Sequence, residues 1–190
     1  MRLILASSSP RRAELLHQIG VNFEIKSVEI DETPIHGERP LDYVKRLAIE
    51  KAAATKVFYQ EDDILVLGSD TAVIIDGEIL GKPDNKEQAV MMLKQLSGNS
   101  HTVLTSVAII GCQQEQCLIN ESKVTFSTLT DSDIEWYWST GEPKDKAGAY
   151  GIQGKAAVFI KRLEGSFSGV MGLPLYETSQ LLKQSGFAIT

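Results

Sequence analysis

The sequence predicts an α/β fold built on a mixed sheet. Short apolar runs of buried-strand type, such as Leu3–Ala6 and Ile64–Leu67, alternate with stretches of helical periodicity. A hairpin-like turn at Asp76-Gly77 adds antiparallel pairing to what crossover helices would otherwise make parallel. The 190 residues suffice for one domain, 1–190, with a sizeable core, or for two lobes around a cleft.

Arg2–Ala6 reads as a strand and Pro10–Ile19 as a helix, joined by Ser7-Ser8-Ser9. Pro10 suits a first helical position, and Ser9 before it is an N-cap candidate. Phe23–Val28 is expected to be a second strand and Ile30–Pro40 a polar loop. Val44, Leu47, Ala48 and Ala52 give Leu41–Val57 helical spacing. The apolar run Ile64–Leu67 is expected to end as a strand at Gly68-Ser69-Asp70-Thr71, with Ala72–Ile75 continuing in strand character. Lys86–Leu96 is helical. Thr102–Ile110 and Ser122–Leu129 are strands, Asp131–Ser139 is a helix capped at Thr130 or Asp131, Ala157–Arg162 is a strand, and Leu175–Gln184 is a last helix.

Composition excludes several classes. Hydrophobic residues are 43% and charged residues 23%, the balance of an ordinary globular chain. A net charge of −6 argues against an extended nucleic-acid surface, though not against a local basic pocket for a small polyanion. The first apolar run is too short for a secretory leader, and nothing approaches a membrane span. Cys112 and Cys117 form no C-x-x-C pair, as expected of reduced thiols in a cytoplasmic protein. His17, His36 and His101 lack zinc-ligand spacing and read as surface or ordinary structural histidines, so any metal is expected on carboxylates.

The chemistry is concentrated in a few segments. Free N–H groups at a helix start, beside the hydroxyls of Ser7 and Ser9 and the guanidinium groups of Arg11 and Arg12, suit a phosphate. Many α/β domains open this way and bind nothing, but arginines in a first turn oppose the helix dipole and so disfavour a purely structural role. Asp70 closes an apolar run, where α/β proteins place catalytic groups, although a turn aspartate has the same look. Asp31 and Glu32 lie in a loop. Taken alone they are solvated charges; two carboxylates meeting over a polyphosphate would hold Mg²⁺. Lys82, between Gly81 and Pro83, has a constrained backbone, and Lys51 on a long helix faces solvent by default. Asp145–Gly154 holds three glycines and two alanines in ten residues, the mark of a backbone that something approaches closely, and its Gln153 carries both a donor and an acceptor.

Together, Ser7-x-Ser9-Pro10-Arg11-Arg12, Asp31-Glu32, Gly68-Ser69-Asp70-Thr71, Gly81-Lys82-Pro83, Leu96-Ser97-Gly98, the Asp145–Gly154 loop and Gly172-Leu173-Pro174 stand in the order of the Maf family of nucleotide pyrophosphatases. The chain resembles that family from Leu3 to about Leu182. The resemblance implies an elongated mixed sheet with flanking helices, in two lobes around a central cleft, like the inosine-triphosphate pyrophosphatases. It implies hydrolysis of a nucleoside triphosphate to the monophosphate and pyrophosphate with a divalent cation, Mg²⁺ or Mn²⁺, by a cytoplasmic homodimer. Arg11, Thr71 and Gln153 stand at the positions that separate subgroups, and their combination is similar to the subgroup acting on dTTP and UTP, with 5-methyl-UTP or pseudo-UTP as further substrates. The roles implied are general base for Asp70, metal binding for Glu32 and Asp70, and phosphate binding for Ser7, Ser9, Arg12, Lys51 and Lys82. The family is also linked to septum inhibition, which leaves a nucleotide-binding regulator of cell division, with hydrolysis incidental, as the alternative.

Overall fold

Seven strands and six helices are found among residues 1–112 and 114–189, the residues described in a computed structural model of the chain. The strands are β1 (Arg2–Leu5), β2 (Glu24–Ile25), β3 (Ile64–Ile75), β4 (Glu78–Leu80), β5 (Ser100–Ile110), β6 (Glu115–Phe126) and β7 (Ile160–Glu164). The helices are α1 (Pro10–Gln18), α2 (Pro40–Lys56), α3 (Lys86–Leu96), α4 (Asp131–Ser139), α5 (Phe167–Met171) and α6 (Leu175–Gln184). The sheet order is β2-β1-β3-β5-β6-β7, with β4 also paired to β3. β1 is parallel to β2 and β3; all other pairs are antiparallel. The mixed sheet expected from the sequence is therefore present.

One property of this pairing creates the cleft. β5 lines one edge of β3 from Val66 to Ile74. On the other edge β1 reaches only to Leu67, and β4 begins only at Val73. The stretch from Gly68 to Ala72 is thus open on that side, between two short neighbours. The sequence suggested that a strand ends at Asp70. Instead β3 runs on unbroken for 12 residues, and Asp70 pairs with Ser106 in mid-strand. The crevice lies at the end of β1, where open α/β sheets place ligands.

Two large apolar clusters flank this gap. One gathers Leu3, Leu5, Leu15, Leu16, Leu67, Ile109 and Leu181 under α1 and α6. The other gathers Val73, Leu93, Leu96, Phe126, Tyr137, Tyr150 and Phe159 under α3, α4 and the glycine-rich loop. α2 packs on the opposite face of the sheet through Val44, Leu47, Ala48 and Ala52, all fully buried, with Ala52 beside Ile4 and Val66 and Val44 beside Ala72 and Leu104. Gly68 permits the close approach of α2: a Cβ there would lie 2.9 Å from the Ala52 amide nitrogen and would collide with the Ala48 carbonyl oxygen.

Several local expectations are corrected. The strand expected over Phe23–Val28 is only Glu24–Ile25, because β2 is an edge strand with a short β1 as its sole neighbour. β6 begins at Glu115, earlier than Ser122, since its first half is half-exposed and its apolar content is only the short run Cys117–Ile119. In place of a strand from Ala157, Lys155–Phe159 is a 3-10 turn that precedes β7. Pro10 does open α1, but the Ser9 hydroxyl makes no cap; the Ser9 amide instead donates to Ser7 Oγ at 3.2 Å. At α4 the capping expectation holds: Thr130 and Asp133 form a reciprocal capping box. No helix among the described residues is long and apolar enough to cross a membrane.

Candidate active site

A cleft of about 610 Å³ opens over the open edge of β3, and ten of the eleven candidate residues named from the sequence line it: Ser7, Ser9, Arg11, Arg12, Glu32, Lys51, Asp70, Thr71, Lys82 and Gln153. Asp31 is not among its lining residues; its Oδ1 accepts from the Thr33 amide at 2.9 Å, a local turn.

At the centre stands Lys51. Its Nζ lies 2.6 Å from Asp70 Oδ1 and 2.8 Å from Glu32 Oε1. The expectation of a solvent-facing lysine is overturned, because α2 lies directly on β3 at Gly68 and turns Lys51 into the cleft with its side chain 13% exposed. Asp70 is buried, and burial pushes its carboxyl above the usual range against the opposing pull of Lys51 and Arg12. Glu32 is less buried. Its desolvation is outweighed by the hydrogen bond and charge of Lys51, with Lys82 and Arg12 behind it, so its carboxyl titrates below the ordinary range.

Arg12 is anchored on three sides. Its Nε donates to the Gly172 carbonyl at 2.7 Å, its Nη1 to Ser7 Oγ at 3.1 Å and its Nη2 to Thr71 Oγ1 at 3.4 Å. A guanidinium has five N–H donors, so two remain for a ligand, on a fork whose orientation is set by the protein. The Gly172 carbonyl also accepts from Ser69 Oγ at 2.9 Å. Thr105 Oγ1 lies 2.7 Å from the Gly169 carbonyl and 3.0 Å from Thr71 Oγ1. The Thr105 hydroxyl is the donor to both, with the Gly169 carbonyl the nearer acceptor, so Thr71 Oγ1 stands as an acceptor between Thr105 and Arg12.

The loop that carries Glu32 is tied to α2. Tyr43 Oη donates to the Glu32 carbonyl at 3.0 Å, and Arg46 binds the Glu38 carboxylate at 2.7 Å and the Thr33 carbonyl at 3.3 Å. Burial, with Asp70 and Glu32 nearby, raises the Tyr43 hydroxyl to about 12, so it stays protonated. Tyr43 belongs to none of the motifs that mark the site in the sequence; its one signal there is the spacing Tyr43, Leu47, Lys51, one helix face at i, i+4, i+8.

The far wall is the glycine-rich loop. Gly148 and Ala149 both have left-handed backbones, φ 66° and 59°. Gly148 fits because a Cβ there would lie 2.9 Å from Val73 Cγ1. Ala149 has no such exemption and is held in this conformation at a cost of about 1 kcal/mol. Arg11 reaches across to the loop, its Nη1 3.4 Å from Asp145 Oδ2. Gln153 is exposed on the cleft wall, and Lys82 is exposed at the other rim, after β4.

Residues 2–185 match the family described as Maf-like protein. The chain belongs to this family. It is 51% identical to a protein of Colwellia psychrerythraea named dTTP/UTP pyrophosphatase, over 98% of this chain and 89% of that protein. It is 50% identical to another so named from Symbiobacterium thermophilum, over 99% and 96% of the two chains. Among solved structures, a HAM1 protein from Coxiella burnetii superposes with a TM-score of 0.52 at 16% identity, covering 97% of this chain and 99% of that one. That likeness is one of fold, and it agrees with the architecture the sequence resemblance implies.

Carboxylate oxygens are the donors here that suit a hard cation. Among the described residues no three His, Cys, Asp or Glu side chains stand together as a ready-made metal cage. Glu32 and Asp70 instead converge as a pair on one positive centre, the Lys51 ammonium. One or two carboxylates completed by phosphate oxygens and water is the usual protein share in binding Mg²⁺, so the pair fits a divalent cation that arrives with a polyphosphate.

Proposed function

We propose that this Maf family protein hydrolyses dTTP and UTP to the monophosphate and pyrophosphate. The observation that carries this reading is the juxtaposition, in one cleft, of Asp70 among fixed cations at one wall with the Gln153 loop at the other. The relatives named dTTP/UTP pyrophosphatase, about half identical over nearly their whole length, support the same substrates.

Asp70 is the general base. Its raised pKa keeps it basic enough to take a proton from water, and Lys51 holds its orientation. The water oxygen attacks the α-phosphorus, the bond to the α–β bridging oxygen breaks, and pyrophosphate leaves with that oxygen. Arg12, Lys51 and Lys82, with the Ser7–Ser9 turn and the uncapped amides at the start of α1, hold the phosphates and stabilise the charge that develops on them. Glu32 and Asp70 would hold Mg²⁺ or Mn²⁺, which supplies charge neutralisation to the phosphates. Gln153 meets the carbonyl–imide–carbonyl edge of thymine or uracil with one donor and one acceptor; a base without that edge leaves the amide unpaired. A methyl or glycosidic change at C5 leaves the edge intact, so modified uridine triphosphates belong to the same substrate class. Arg11 and Thr71 tune selectivity from the phosphate side, Thr71 through its contact with Arg12. We further infer from the family resemblance a cytoplasmic homodimer of single-domain chains.

The test is pyrophosphate release with Mg²⁺ or Mn²⁺ from dTTP, UTP, CTP, GTP and ITP, repeated with Asp70→Asn. Selective turnover of dTTP and UTP, reduced by about 10²–10⁴ in the variant, is expected from loss of a general base. Preference for a purine overturns the substrate, and tight binding without turnover favours a regulator.

A further inference from the structure

His101, on β5, is buried behind the cleft wall, away from solvent and outside the catalytic group. Its Nε2 lies 2.8 Å from Tyr150 Oη, and its ring stands edge-on to those of Tyr150 and Phe126. Its Nδ1 is buried with no hydrogen-bond partner among the described residues. A leucine or phenylalanine would fill this apolar site with no orphaned nitrogen, so the imidazole is held here at a penalty with one hydrogen bond in return. That bond goes to a residue that lines the cleft. Tyr150 directly follows the left-handed Gly148-Ala149 pair, and the next amide, Gly151, donates to Tyr137 Oη at 3.2 Å. The strained turn is therefore followed by two consecutive anchors on buried groups, and Gln153 projects two residues further on. A backbone in a sparsely populated conformation persists only where its surroundings over-determine it.

We propose that His101 is a positioning residue for base selectivity: it pins Tyr150, and with it the strained loop that presents Gln153 to the base. The inference rests on the pyrimidine triphosphate reaction proposed above. It explains a buried histidine that the sequence marks only as ordinary and structural, and it places part of the selectivity in a layer that never touches substrate.

The experiment measures kcat and KM for UTP and CTP in the wild type, His101→Phe, His101→Gln, Tyr150→Phe and the double variant His101→Phe/Tyr150→Phe, alongside thermal melts. Phenylalanine keeps the packing and removes the hydrogen bond. The expected result is a KM for UTP raised by about fivefold, the worth of one hydrogen bond, with kcat within about twofold and the UTP-over-CTP ratio narrowed to match. Glutamine, which offers an amide near the Nε2 position, restores most of the ratio. The double variant is no worse than either single one, because both break the same bond. An unchanged UTP-over-CTP ratio in His101→Phe overturns the proposal, whatever happens to the melting temperature, as do multiplicative effects in the double variant. Should His101→Phe fail to fold, Tyr150→Phe decides alone: a narrowed ratio sustains the proposal and an unchanged one ends it. No turnover of pyrimidine triphosphates by the wild type overturns the reaction and this inference together; wild-type turnover with unaltered variants overturns this inference only.

Discussion

Lys51 and Asp70 meet at 2.6 Å although one lies on a helix and the other in mid-strand. The contact exists because Gly68 lets the backbone of α2 settle on β3 two residues before the aspartate. A Cβ at position 68 has backbone, not a flexible side-chain end, in its way. Gly68→Ala is therefore expected to lift α2, costing about 1–3 kcal/mol in overpacking and lowering Tm by several degrees. Turnover should fall further than the melt alone explains, since Lys51 moves with the helix. Thermal melts and pyrophosphate release on the same preparation check both; an unchanged melt would show that α2 yields freely.

Glu32 shares the Lys51 ammonium with Asp70 but is half exposed. Glu32→Gln is expected to leave stability nearly unchanged, because partly exposed ion pairs contribute little. Its effect should appear in the Mg²⁺ and Mn²⁺ titrations of activity, as a higher half-saturating concentration. A titration curve that superposes on the wild type removes Glu32 from the metal site.

Gln153 lies exposed on the cleft wall. In Gln153→Glu the carboxylate accepts but does not donate, so it mismatches the two carbonyls of uracil and thymine. Expected is a loss of roughly 10- to 100-fold in kcat/KM for both nucleotides, corresponding to one unpaired polar group, with folding intact. Equal losses for CTP would show that the residue reads something other than the base edge.

His101 also predicts a pH dependence of stability. Burial holds its pKa at about 4, below the ordinary 6.5. Above pH 6.5 the imidazole is neutral in both folded and unfolded chains, and its contribution is fully present. As pH falls from 6.5 toward 4 the unfolded chain takes up a proton that the folded one refuses, and on the order of 3 kcal/mol is lost. Urea melts at pH 7.5, 5.5 and 4.5 should show this slope, and His101→Phe should flatten it. Parallel slopes in the two proteins would place the acid sensitivity elsewhere.

The sequence by itself determined most of the long elements, the class of sheet and most of the residues that line the candidate site. Pro10 opening α1, the spacing of Val44, Leu47, Ala48 and Ala52, and the capping box at Thr130 are short-range signals, each read within a turn or two of chain. The residues that line the cleft were legible for a related reason: motifs such as Gly68-Ser69-Asp70-Thr71 need backbone and side-chain types that few other roles require. Tertiary structure alone decided what those residues do to one another. The open edge of β3 from Gly68 to Ala72 depends on where β1 stops and β4 begins, two registers set by separate segments. The inward turn of Lys51 depends on a helix–strand approach at one glycine, and the bond between His101 and Tyr150 joins residues 49 positions apart. Such contacts leave no periodic trace in the chain. They arise from burial and register, which are properties of the folded sheet and not of any one segment.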